Sequence, residues 1–483
     1  MMIPFDPRKF DFTVEEAKQA GAEYRLLSAE IEFTRACNYM CPYCYAAGDL
    51  SGTTLDTEAA ESAIRQVAGL GARKIVILGG EPLLYGKLEQ MVGFITGLGM
   101  GAEIFTNGAL MTAERARFFF EHGCRVVVKL NSLRPGVQER LTGIPGALEK
   151  ALRAISLLRD AGFTEDMLCA SSVISSENVD DVEPLWAYLR ENGIRPYLEI
   201  MTPQGRLLEQ PSLQVGTDRL HTIFDDLSRY DRCHGCGSWD PQPPLVGSFC
   251  MRHLYSCVIG IHGDVTPCVG LTTVLGNIHD TPLADILRNS RILEKLRDYR
   301  NTIKGPCRTC DKADRCYGCR GSAYQLTGDY LASDPLCWKN RELLDRPPAV
   351  PAQAGDWIPH KPPMTMVDRI LAVSEWNIVE SVIRPDNRFL RDGVLDNDAI
   401  PEIAAQACAA VTGFEQNSHE LGGFLTALRA IRCLEPVRSG DVLHVEFRQT
   451  AHIDNFYTLE FRIRRTSDGV ICADGEISTC EFS

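Results

Sequence analysis

Short apolar runs alternate with longer amphipathic segments between residue 26 and about residue 202. The segments between the runs, such as TEAAESAIRQVAGL, carry apolar residues at steps of three and four, which predicts helices. Six strand–helix units in succession predict an α/β fold with a parallel sheet, either open or closed into a partial (βα)6 barrel. In such folds the chemistry lies at the carboxyl ends of the strands. The six predicted strands are residues 29–33, 74–80, 102–106, 125–130, 168–174 and 197–201.

The pattern changes twice in the rest of the chain. Between residues 203 and 345 regular alternation fades, and cysteine, glycine and short turns take over. RPPAVPAQAG then reads as a proline-rich linker. Beyond it, one long helical segment at residues 399–415 precedes the strand-like runs VLHVEFRQT, FYTLEFRIRR and VICADGEIST, which predicts an α+β domain. The predicted regions are an N-terminal extension (1–25), the α/β domain (26–232), a cysteine-rich domain (233–345), the linker (346–355) and the α+β domain (356–483).

Composition narrows the class of protein. A hydrophobic fraction of 45% and a charged fraction of 24% are typical of a folded, soluble chain. The net charge of −14 disfavours binding to nucleic acid. No apolar run approaches the roughly 20 residues of a membrane helix, and the start of the chain lacks the apolar core of a signal peptide. We therefore expect a cytoplasmic protein with no membrane or nucleic-acid partner.

The chain contains 19 cysteines, which in a reducing compartment favours metal ligation over disulfides. Cys37, Cys41 and Cys44 form a C-x3-C-x2-C motif directly after the first predicted strand. Three thiolates can hold three irons of a 4Fe–4S cube and leave the fourth iron without a protein ligand. Because such clusters normally have four cysteine ligands, three predict that another molecule binds the open iron. The alternatives are a zinc site lacking one ligand and buried, unligated cysteines.

A second motif, Gly79-Gly80-Glu81-Pro82, ends the second predicted strand. Its two glycines allow a ligand to approach the backbone closely, and the Glu81 carboxylate could bind a cationic amine. Alone, the motif could equally be a turn between a strand and a helix. Its position at a strand end beside the cysteine loop favours a binding site.

Together, the cysteine triplet, Tyr43 and the GGEP turn resemble the radical S-adenosylmethionine (radical SAM) superfamily over about residues 30–201. The resemblance implies that S-adenosylmethionine chelates the open iron through its amino and carboxylate groups. One electron then cleaves it to methionine and a 5′-deoxyadenosyl radical, which abstracts hydrogen from an unactivated C–H bond. An electron donor such as flavodoxin or ferredoxin is implied as a partner. The implied cofactor-binding residues are Gly79, Gly80, Glu81, Thr106, Asn107, Lys129, Asn131 and Ser132.

A second group of cysteines could hold two further clusters, although C-x2-C pairs also suit zinc ribbons. The region 248–338 resembles the SPASM extension of radical SAM enzymes, with two residues in place of three between Cys316 and Cys319. In the sulfatase-maturing members an aspartate base follows the equivalent of Cys268; Val269 stands here, which disfavours that activity. Cys233 and Cys236 form a further C-x2-C, either an additional ligand pair or loop thiols. The resemblance assigns Cys250, Cys257, Cys268 and Cys319 to a cluster near the substrate, and Cys307, Cys310, Cys316 and Cys337 to a distal cluster, both for electron transfer.

The C-terminal domain carries His360 in a PHKPPMTMVD segment, and Glu402 four residues before Gln406. Each alone has an ordinary structural explanation, since an acidic residue in the first turn favours the helix dipole. Together they resemble the hotdog-fold hydroxyacyl-carrier-protein dehydratases over about residues 357–482. This implies that His360 removes the α-proton of a thioester, that Glu402 protonates the leaving hydroxyl, and that the domain forms a homodimer. The glycine-poor approach at residues 392–398 leaves an acyl-binding or dimerising role as the alternative.

These observations predict a radical SAM enzyme that abstracts hydrogen from a small or thioester-bound substrate. Auxiliary clusters would transfer electrons, and the hotdog domain would bind or dehydrate an acyl thioester. Two alternatives are a peptide-modifying SPASM maturase and a non-catalytic acyl-carrier binding module. The short segment before the barrel disfavours recognition of a long leader peptide, and an intact three-cysteine loop disfavours a simple electron store.

Overall fold

The structure is a computed structural model, and it describes residues 2–46, 52–340, 350–360, 362–415, 423–453 and 456–481. These residues form two compact units, one within Met1–Leu344 and the other within Asp345–Ser483. Residues 346–349 of the predicted linker and residues 482–483 of the predicted C-terminal domain lie outside the described residues. No helix in the described ranges is both long and apolar enough to cross a bilayer.

Six consecutive parallel strands build the first unit. Each strand from β1 to β6 pairs in parallel with the next one along the chain. Their ends lie within two residues of the predicted ends, because buried apolar runs carry a clear signal. The expected α/β partial barrel is confirmed. The strands are β1 (Ser28–Glu32), β2 (Lys74–Leu78), β3 (Gly101–Thr106), β4 (Arg125–Lys129), β5 (Leu168–Ile174) and β6 (Arg195–Ile200).

Amphipathic helices cover one face of this sheet. In the helix at Ala147–Asp160, for example, Leu148, Ile155 and Leu158 are buried at helical spacing. They pack with Ile31, Ile104 and other strand residues in the main hydrophobic core. The helices are α1 (Val14–Ala22), α2 (Thr57–Gly69), α3 (Leu88–Gly97), α4 (Ala113–Glu121), α5 (Pro135–Thr142), α6 (Ala147–Asp160), α7 (Val182–Glu191) and α8 (Thr217–Cys233).

The other face of the sheet, the interior of the barrel, is polar. Successive strand residues point to opposite faces, so Arg195, Tyr197 and Glu199 of β6 share the interior face. Glu30 of β1 and Glu103 of β3 also face the interior, although both are largely buried. Charged groups therefore occupy a space that apolar side chains fill in a closed barrel.

The N-terminal segment packs against the amino ends of these strands. Asp11 accepts two hydrogen bonds from the Arg125 guanidinium, at 2.8 and 2.9 Å, and both of its oxygens lie 3.0 Å from Nη1 of Arg195. Lys74 Nζ donates to the carbonyl oxygen of Phe10 at 3.0 Å. The segment thus covers the amino-terminal mouth of the barrel.

Short elements dominate the rest of the first unit, as the sequence predicts. β7 pairs in parallel with β1, and β8 and β9 continue the sheet in antiparallel fashion. The sheet order is β6-β5-β4-β3-β2-β1-β7-β8-β9. The elements are β7 (Val258–Ile259), β8 (Asp264–Thr266), β9 (Gly276–Asn277), α9 (Arg252–Tyr255), α10 (Leu283–Asn289), α11 (Arg291–Arg297), α12 (Tyr299–Thr302) and α13 (Arg320–Thr327).

The second unit is a seven-stranded antiparallel sheet with one long helix, α14 (Ala399–Glu415). Ile403, Ala407 and Val411 of α14 lie on its buried face and pack in one core with residues of the sheet. The sheet order is β10-β11-β12-β16-β17-β18-β15, so β15 is an edge strand. The strands are β10 (Ala352–Gln353), β11 (Arg369–Ala372), β12 (Asn377–Val382), the separate hairpin β13 (Leu390–Arg391) and β14 (Val394–Leu395), β15 (Gly423–Cys433), β16 (Val442–Ile453), β17 (Phe456–Arg465) and β18 (Ile471–Glu481).

Candidate active site

The three-cysteine loop follows β1 at the carboxyl edge of the sheet. Tyr45, next to Cys44, donates its hydroxyl to Glu32 Oε1 at 2.9 Å, which anchors the loop to the end of β1. Burial raises the pKa of Cys37 to about 11 and that of Cys41 to about 12. Without a metal these thiols are therefore protonated, whereas a coordinating metal would hold them as thiolates.

The Gly79–Gly80 turn is clamped onto the start of this loop. Gly80 N donates to Thr34 O at 2.6 Å, and Glu81 N donates to Ala36 O at 2.7 Å. A Cβ atom on Gly79 would lie 2.3 Å from Thr34 O, and one on Gly80 would lie 2.1 Å from Ala36 O. Gly79 also has a φ of +134°, which favours glycine. The two glycines are therefore required for the loop and the turn to meet.

Glu81 joins the ends of β2 and β3. Its buried carboxylate accepts hydrogen bonds from Thr106 Oγ1 at 2.6 Å, Asn107 N at 2.7 Å and Leu83 N at 3.0 Å. Burial raises its pKa, and these hydrogen bonds act in the opposite direction. Because a carboxylate has about four acceptor positions, most of them are already used within the chain. Glu81 therefore fixes the shape of the site in addition to any contact with a ligand.

Other predicted side chains at the strand ends also surround the cysteine loop. Asn107 Nδ2 donates to Asn38 Oδ1 at 2.7 Å, and Asn131 Nδ2 donates to the Tyr43 hydroxyl at 2.9 Å. Lys129 Nζ lies 5.2 Å from the centre of the Tyr43 ring. The structure thus brings these predicted residues together around the loop.

Ser132, in contrast, is engaged away from the loop. Its hydroxyl donates to Asp181 Oδ2 at 2.5 Å and accepts a hydrogen bond from Arg134 N at 2.9 Å. It is fully buried. The contacts of Ser132 therefore support the turn after β4 and leave its hydroxyl little capacity for a cofactor.

Lys129 and Glu199 form an electrostatic pair deep in the barrel. Burial lowers the pKa of Lys129, whereas the negative charges of Glu199, Cys41 and Cys44 act to raise it. Burial raises the pKa of Glu199, whereas the positive charge of Lys129 acts to lower it. Within the described part of the chain, neither charged group forms a hydrogen bond or a salt bridge. Both are therefore available to a ligand beside the cysteine loop.

A cavity of about 470 Å³ occupies the interior of the barrel between Phe105 and the amino-terminal mouth, and the residues of the cysteine loop and the GGEP turn do not line it. Glu30 lines it and is only 2% exposed. One carboxylate oxygen of Glu30 binds the Arg252 guanidinium, which also donates to the Tyr197 hydroxyl at 2.8 Å. The other oxygen, Oε2, is buried without a hydrogen-bond partner among the described residues. The cavity therefore offers a free acceptor to a bound molecule.

The four cysteines assigned to the distal cluster line a single small cavity. They are Cys307, Cys310, Cys316 and Cys337. Asn340 Nδ2 lies 3.0 Å from Cys307 Sγ, a geometry that suits an N–H···S hydrogen bond to a thiolate. Among the described residues no three Cys, His, Asp or Glu side chains converge tightly enough to hold a single metal ion. The structure thus brings the four predicted ligands of the distal cluster to one cavity.

Three of the four cysteines assigned to the proximal cluster also lie together. Burial raises the pKa of Cys250 strongly, and the neighbouring Cys319 and Cys268 raise it further. Cys257 is elsewhere: it is fully buried in the main hydrophobic core, where Arg297 is the charged group that acts on it. The structure therefore does not bring Cys257 to the predicted position.

The second unit brings its two predicted catalytic side chains together. His360 Nε2 lies 3.5 Å from Glu402 Oε1, and both side chains are about one-third exposed, at 35% and 33%. Gln406 Nε2 donates to Glu402 Oε1 at 2.8 Å and to Met364 O at 2.9 Å, while its Oε1 accepts from Met366 N at 2.8 Å. Gln406 thus holds Glu402 and the loop after His360 in one arrangement.

Comparison with known protein families identifies each of these regions. Residues 31–189 match the profile of the radical SAM superfamily, and residues 250–311 match the SPASM iron–sulfur cluster-binding domain. The chain is a radical SAM enzyme. Residues 352–482 match the ApeP dehydratase family, in agreement with the hotdog-like antiparallel unit. A radical SAM and SPASM protein uses 4Fe–4S clusters and S-adenosylmethionine, and the cysteine groups and the glycine turn fit both.

Several relatives of known function resemble the first unit of this radical SAM enzyme. An AdoMet-dependent heme synthase of Methanosarcina barkeri is 27% identical over 333 residues, covering 63% of this chain and 94% of the relative. A PqqA peptide cyclase of Gluconobacter oxydans is 24% identical, covering 64% and 90%. The crystal structure of Streptococcus suis SuiB bound to S-adenosylmethionine has a TM-score of 0.52 at 16% identity, covering 65% and 77%. This last similarity concerns the fold.

One residue beside the cofactor site of this radical SAM enzyme was not predicted. Arg206 N donates to Cys44 O at 3.1 Å. Gly205 has a φ of +56°, and a Cβ atom there would lie 2.4 Å from Cys44 O, so the chain passes very close to the cysteine loop. The Arg206 guanidinium opposes the rise in pKa that burial causes at Cys37 and Cys44. Residues 203–213 have no regular pattern of apolar and polar positions, so this contact could not be predicted.

Cys233 ends α8, and Cys236 follows three residues later; both are exposed, in agreement with the interpretation of this pair as loop thiols. Glu199 was not predicted either, although its strand offered a signal. The alternation of polar residues at 195, 197 and 199 in a buried strand indicates a polar interior.

Proposed function

We propose that this radical SAM enzyme cleaves S-adenosylmethionine reductively at the Cys37–Cys41–Cys44 loop and abstracts hydrogen from a substrate bound inside the barrel, beside this loop. The observation that carries the proposal is the close contact of this loop with the Gly79–Gly80 turn. When bound, the 4Fe–4S cluster and S-adenosylmethionine supply the one-electron chemistry that yields the 5′-deoxyadenosyl radical. The chain supplies binding, orientation and exclusion of water.

Specific side chains would orient the cofactor. Asn107 and Asn131 are held beside the loop by hydrogen bonds to Asn38 and Tyr43. Lys129, which has no salt-bridge partner in the described ranges, would bind an anionic group such as the methionine carboxylate. Glu81 would keep the β2 and β3 ends at a fixed separation. These roles require little motion, because most of the groups are already fixed by internal hydrogen bonds.

The two other cysteine groups would hold auxiliary clusters, giving three clusters in the chain. The cavity lined by Cys307, Cys310, Cys316 and Cys337 supports the distal one. Cysteine-ligated clusters serve mainly in electron transfer, so these would accept or supply the electron that the net reaction requires. An external one-electron donor such as flavodoxin or ferredoxin would reduce the first cluster.

A peptide is the substrate class that we propose first. The support is the named activity of the PqqA peptide cyclase, a relative that spans the barrel and the cysteine-rich region. The cavity offers a free carboxylate oxygen on Glu30, which suits an amide N–H donor.

An acyl thioester on a carrier is the second candidate, favoured by the distance of 3.5 Å between His360 and Glu402. His360 would remove the α-proton of a 3-hydroxyacyl thioester, and Glu402 would protonate the leaving hydroxyl. The second unit would act as a homodimer, because apolar side chains on its edge strand β15, including Phe424 and Leu428, are exposed.

The test is anaerobic reconstitution followed by reduction and quantification of 5′-deoxyadenosine. We expect the wild-type chain to form 5′-deoxyadenosine and methionine, and Cys41→Ala to form neither. The dehydratase reaction of the second unit should be unchanged by this substitution, which provides the folding control. A wild-type enzyme that contains iron but forms no 5′-deoxyadenosine with peptide or thioester substrates would contradict the proposal.

A further inference from the structure

The barrel cavity is separate from the cofactor site. Residues of the strands β1 to β6 surround it, and Phe10, Asp11 and Phe12 of the N-terminal segment border it at the amino-terminal mouth. None of the described residues of the cysteine loop or the GGEP turn lines it. A group that binds in this cavity is therefore separate from the reacting atoms beside the loop.

Glu30 gives the cavity wall a hydrogen-bond acceptor. Among the described residues of this wall, its Oε2 is the one buried side-chain oxygen or nitrogen without a hydrogen-bond partner. The backbone of Glu30 is fixed, because it pairs with Val76 of β2 on one side and with Val258 of β7 on the other. A buried carboxylate oxygen without a hydrogen bond is costly, so a donor supplied by a ligand would be stabilised here.

The charges around Glu30 favour a neutral donor. The Arg252 guanidinium already pairs with Oε1 of Glu30, so a cationic ligand would bring a second positive charge close to it. An anionic ligand would have to compete with the carboxylates of the wall, since Lys74 Nζ lies 2.6 Å from Glu103 Oε2. A neutral N–H donor satisfies Glu30 and adds no buried charge.

Aromatic rings form much of the remaining wall. The rings of Phe105 and Tyr197 lie 5.5 Å apart at 81°, and those of Phe12 and Tyr255 lie 5.7 Å apart at 75°. Walls of this kind favour a further aromatic ring, packed edge-to-face or offset against them. The volume of about 470 Å³ lies within the range of about 300–1,000 Å³ that is usual for small-molecule sites.

We propose that the barrel cavity binds a planar aromatic group that carries a neutral N–H, and that this N–H is donated to Glu30 Oε2. Two sources supply such a group: an aromatic side chain of the peptide substrate proposed above, or a separate small molecule. In the first case the inference rests on the proposed function and gives the peptide an anchoring residue remote from the reacting atoms. Binding itself requires neither reduction of a cluster nor cleavage of S-adenosylmethionine.

The first experiment compares two isomers of one size, 3-methylindole, which has a ring N–H, and 1-methylindole, which has none. Each is titrated calorimetrically into the full-length, anaerobically reconstituted chain without reductant. We expect 3-methylindole to bind about 10–100-fold more tightly, the difference that a hydrogen bond to a charged group makes. Equal affinities, or no saturable binding of either isomer, would overturn the proposal.

A third probe, N-acetyltryptophan amide, distinguishes the two sources. It carries the same ring on a backbone that extends in both directions, as a residue within a peptide does. Binding that competes with 3-methylindole identifies a peptide side chain as the occupant. Binding of 3-methylindole alone identifies a separate small molecule.

The second experiment places the binding at Glu30. In Glu30→Gln the carboxamide oxygen can still accept from Arg252, which turns the amide N–H2 toward the cavity. We expect this variant to bind 3-methylindole about 10–100-fold more weakly and to bind isoquinoline, a ring with an acceptor nitrogen, more tightly than the wild type does. Glu165→Gln is the matched control, since it removes a carboxylate of the same wall whose side chain is 54% exposed, and it should leave both affinities unchanged.

Unchanged binding of 3-methylindole by Glu30→Gln would overturn the proposal. The thermal midpoint by circular dichroism checks the folding of both variants, and the comparison of isomers on the wild type decides the matter if Glu30→Gln does not fold. Because no measurement depends on 5′-deoxyadenosine, a negative result here is distinguishable from a failure of the proposed radical chemistry.

Discussion

Replacing Gly80 by alanine should separate the GGEP turn from the cysteine loop. The new Cβ atom would lie 2.1 Å from Ala36 O, while an ordinary carbon–oxygen contact is more than 1 Å longer. One of the two segments must therefore move by about 1 Å, which is an overpacking cost of about 1–3 kcal/mol. That movement also breaks the hydrogen bonds from Gly80 N to Thr34 O, at 2.6 Å, and from Glu81 N to Ala36 O, at 2.7 Å.

The two lost hydrogen bonds add about 0.5–1.5 kcal/mol each, so the total local cost is about 2–6 kcal/mol. Because the movement is confined to the cofactor site, most of this cost should appear as displacement of the cysteine loop and less as global unfolding. We expect Gly80→Ala to lose roughly four irons per chain after anaerobic reconstitution and to retain the auxiliary clusters. The spectral change on addition of S-adenosylmethionine should disappear with the four lost irons.

Gly93→Ala is the matched control. Gly93 lies within α3, and a Cβ atom there meets nothing within 4 Å. This substitution should raise the free energy of unfolding by about 0.5–1 kcal/mol, since alanine favours a helix more than glycine does. Iron content by colorimetric assay and the thermal midpoint by circular dichroism check both variants. A Gly80→Ala enzyme with wild-type iron content and a wild-type response to S-adenosylmethionine would refute the reasoning.

Two further predictions concern the barrel mouth and the second unit. Burial raises the pKa of Asp11, but its pairing with Arg125 and Arg195 outweighs this and lowers that pKa to about 2. Because the folded-state pKa lies below the unfolded value, the stabilisation is present above about pH 4 and is lost as the pH falls toward 2. Asp11→Asn should lower the free energy of unfolding by about 1–2 kcal/mol at pH 7, allowing for the exposure of Asp11. The thermal midpoint of the variant should also fall less than that of the wild type between pH 4 and 2. The same fall in both proteins would contradict this prediction. His360→Ala or Glu402→Gln should slow the dehydration of a 3-hydroxyacyl thioester, followed by enoyl-thioester absorbance, by about 100-fold or more. Neither substitution should change 5′-deoxyadenosine formation. Dehydration at the wild-type rate in both variants would exclude the catalytic assignment.

Much of the first unit could be predicted because its signals are local. The strands are short segments of five to seven residues that are rich in apolar residues, and the helix at Ala399–Glu415 in the second unit has an equally clear pattern. The proximity of the three-cysteine motif and the GGEP turn could be predicted from the rule that the carboxyl ends of parallel strands meet at one edge of the sheet. Backbone hydrogen bonds from Gly80 and Glu81 to Thr34 and Ala36 then join the turn to the start of the loop.

Other features depended on information that spacing does not contain. Cys257 has a suitable position in the sequence, but the pairing of β7 with β1 turns its thiol toward the helices. Arg206 reaches the cysteine loop only because the segment after β6 folds back onto it. The edge strand β15 was not predicted, since most of its residues are exposed and its apolar positions do not alternate with polar ones.

The polar lining of the barrel separates the evolution of specificity from the maintenance of the fold. Side chains such as Glu30, Glu103 and Tyr197 face the cavity, whereas the hydrophobic packing that supports the strands lies on their other side, against the helices. A change of substrate could therefore accumulate on the inner wall one position at a time, at a modest cost in stability. The same scaffold can in this way diversify its chemistry without being rebuilt.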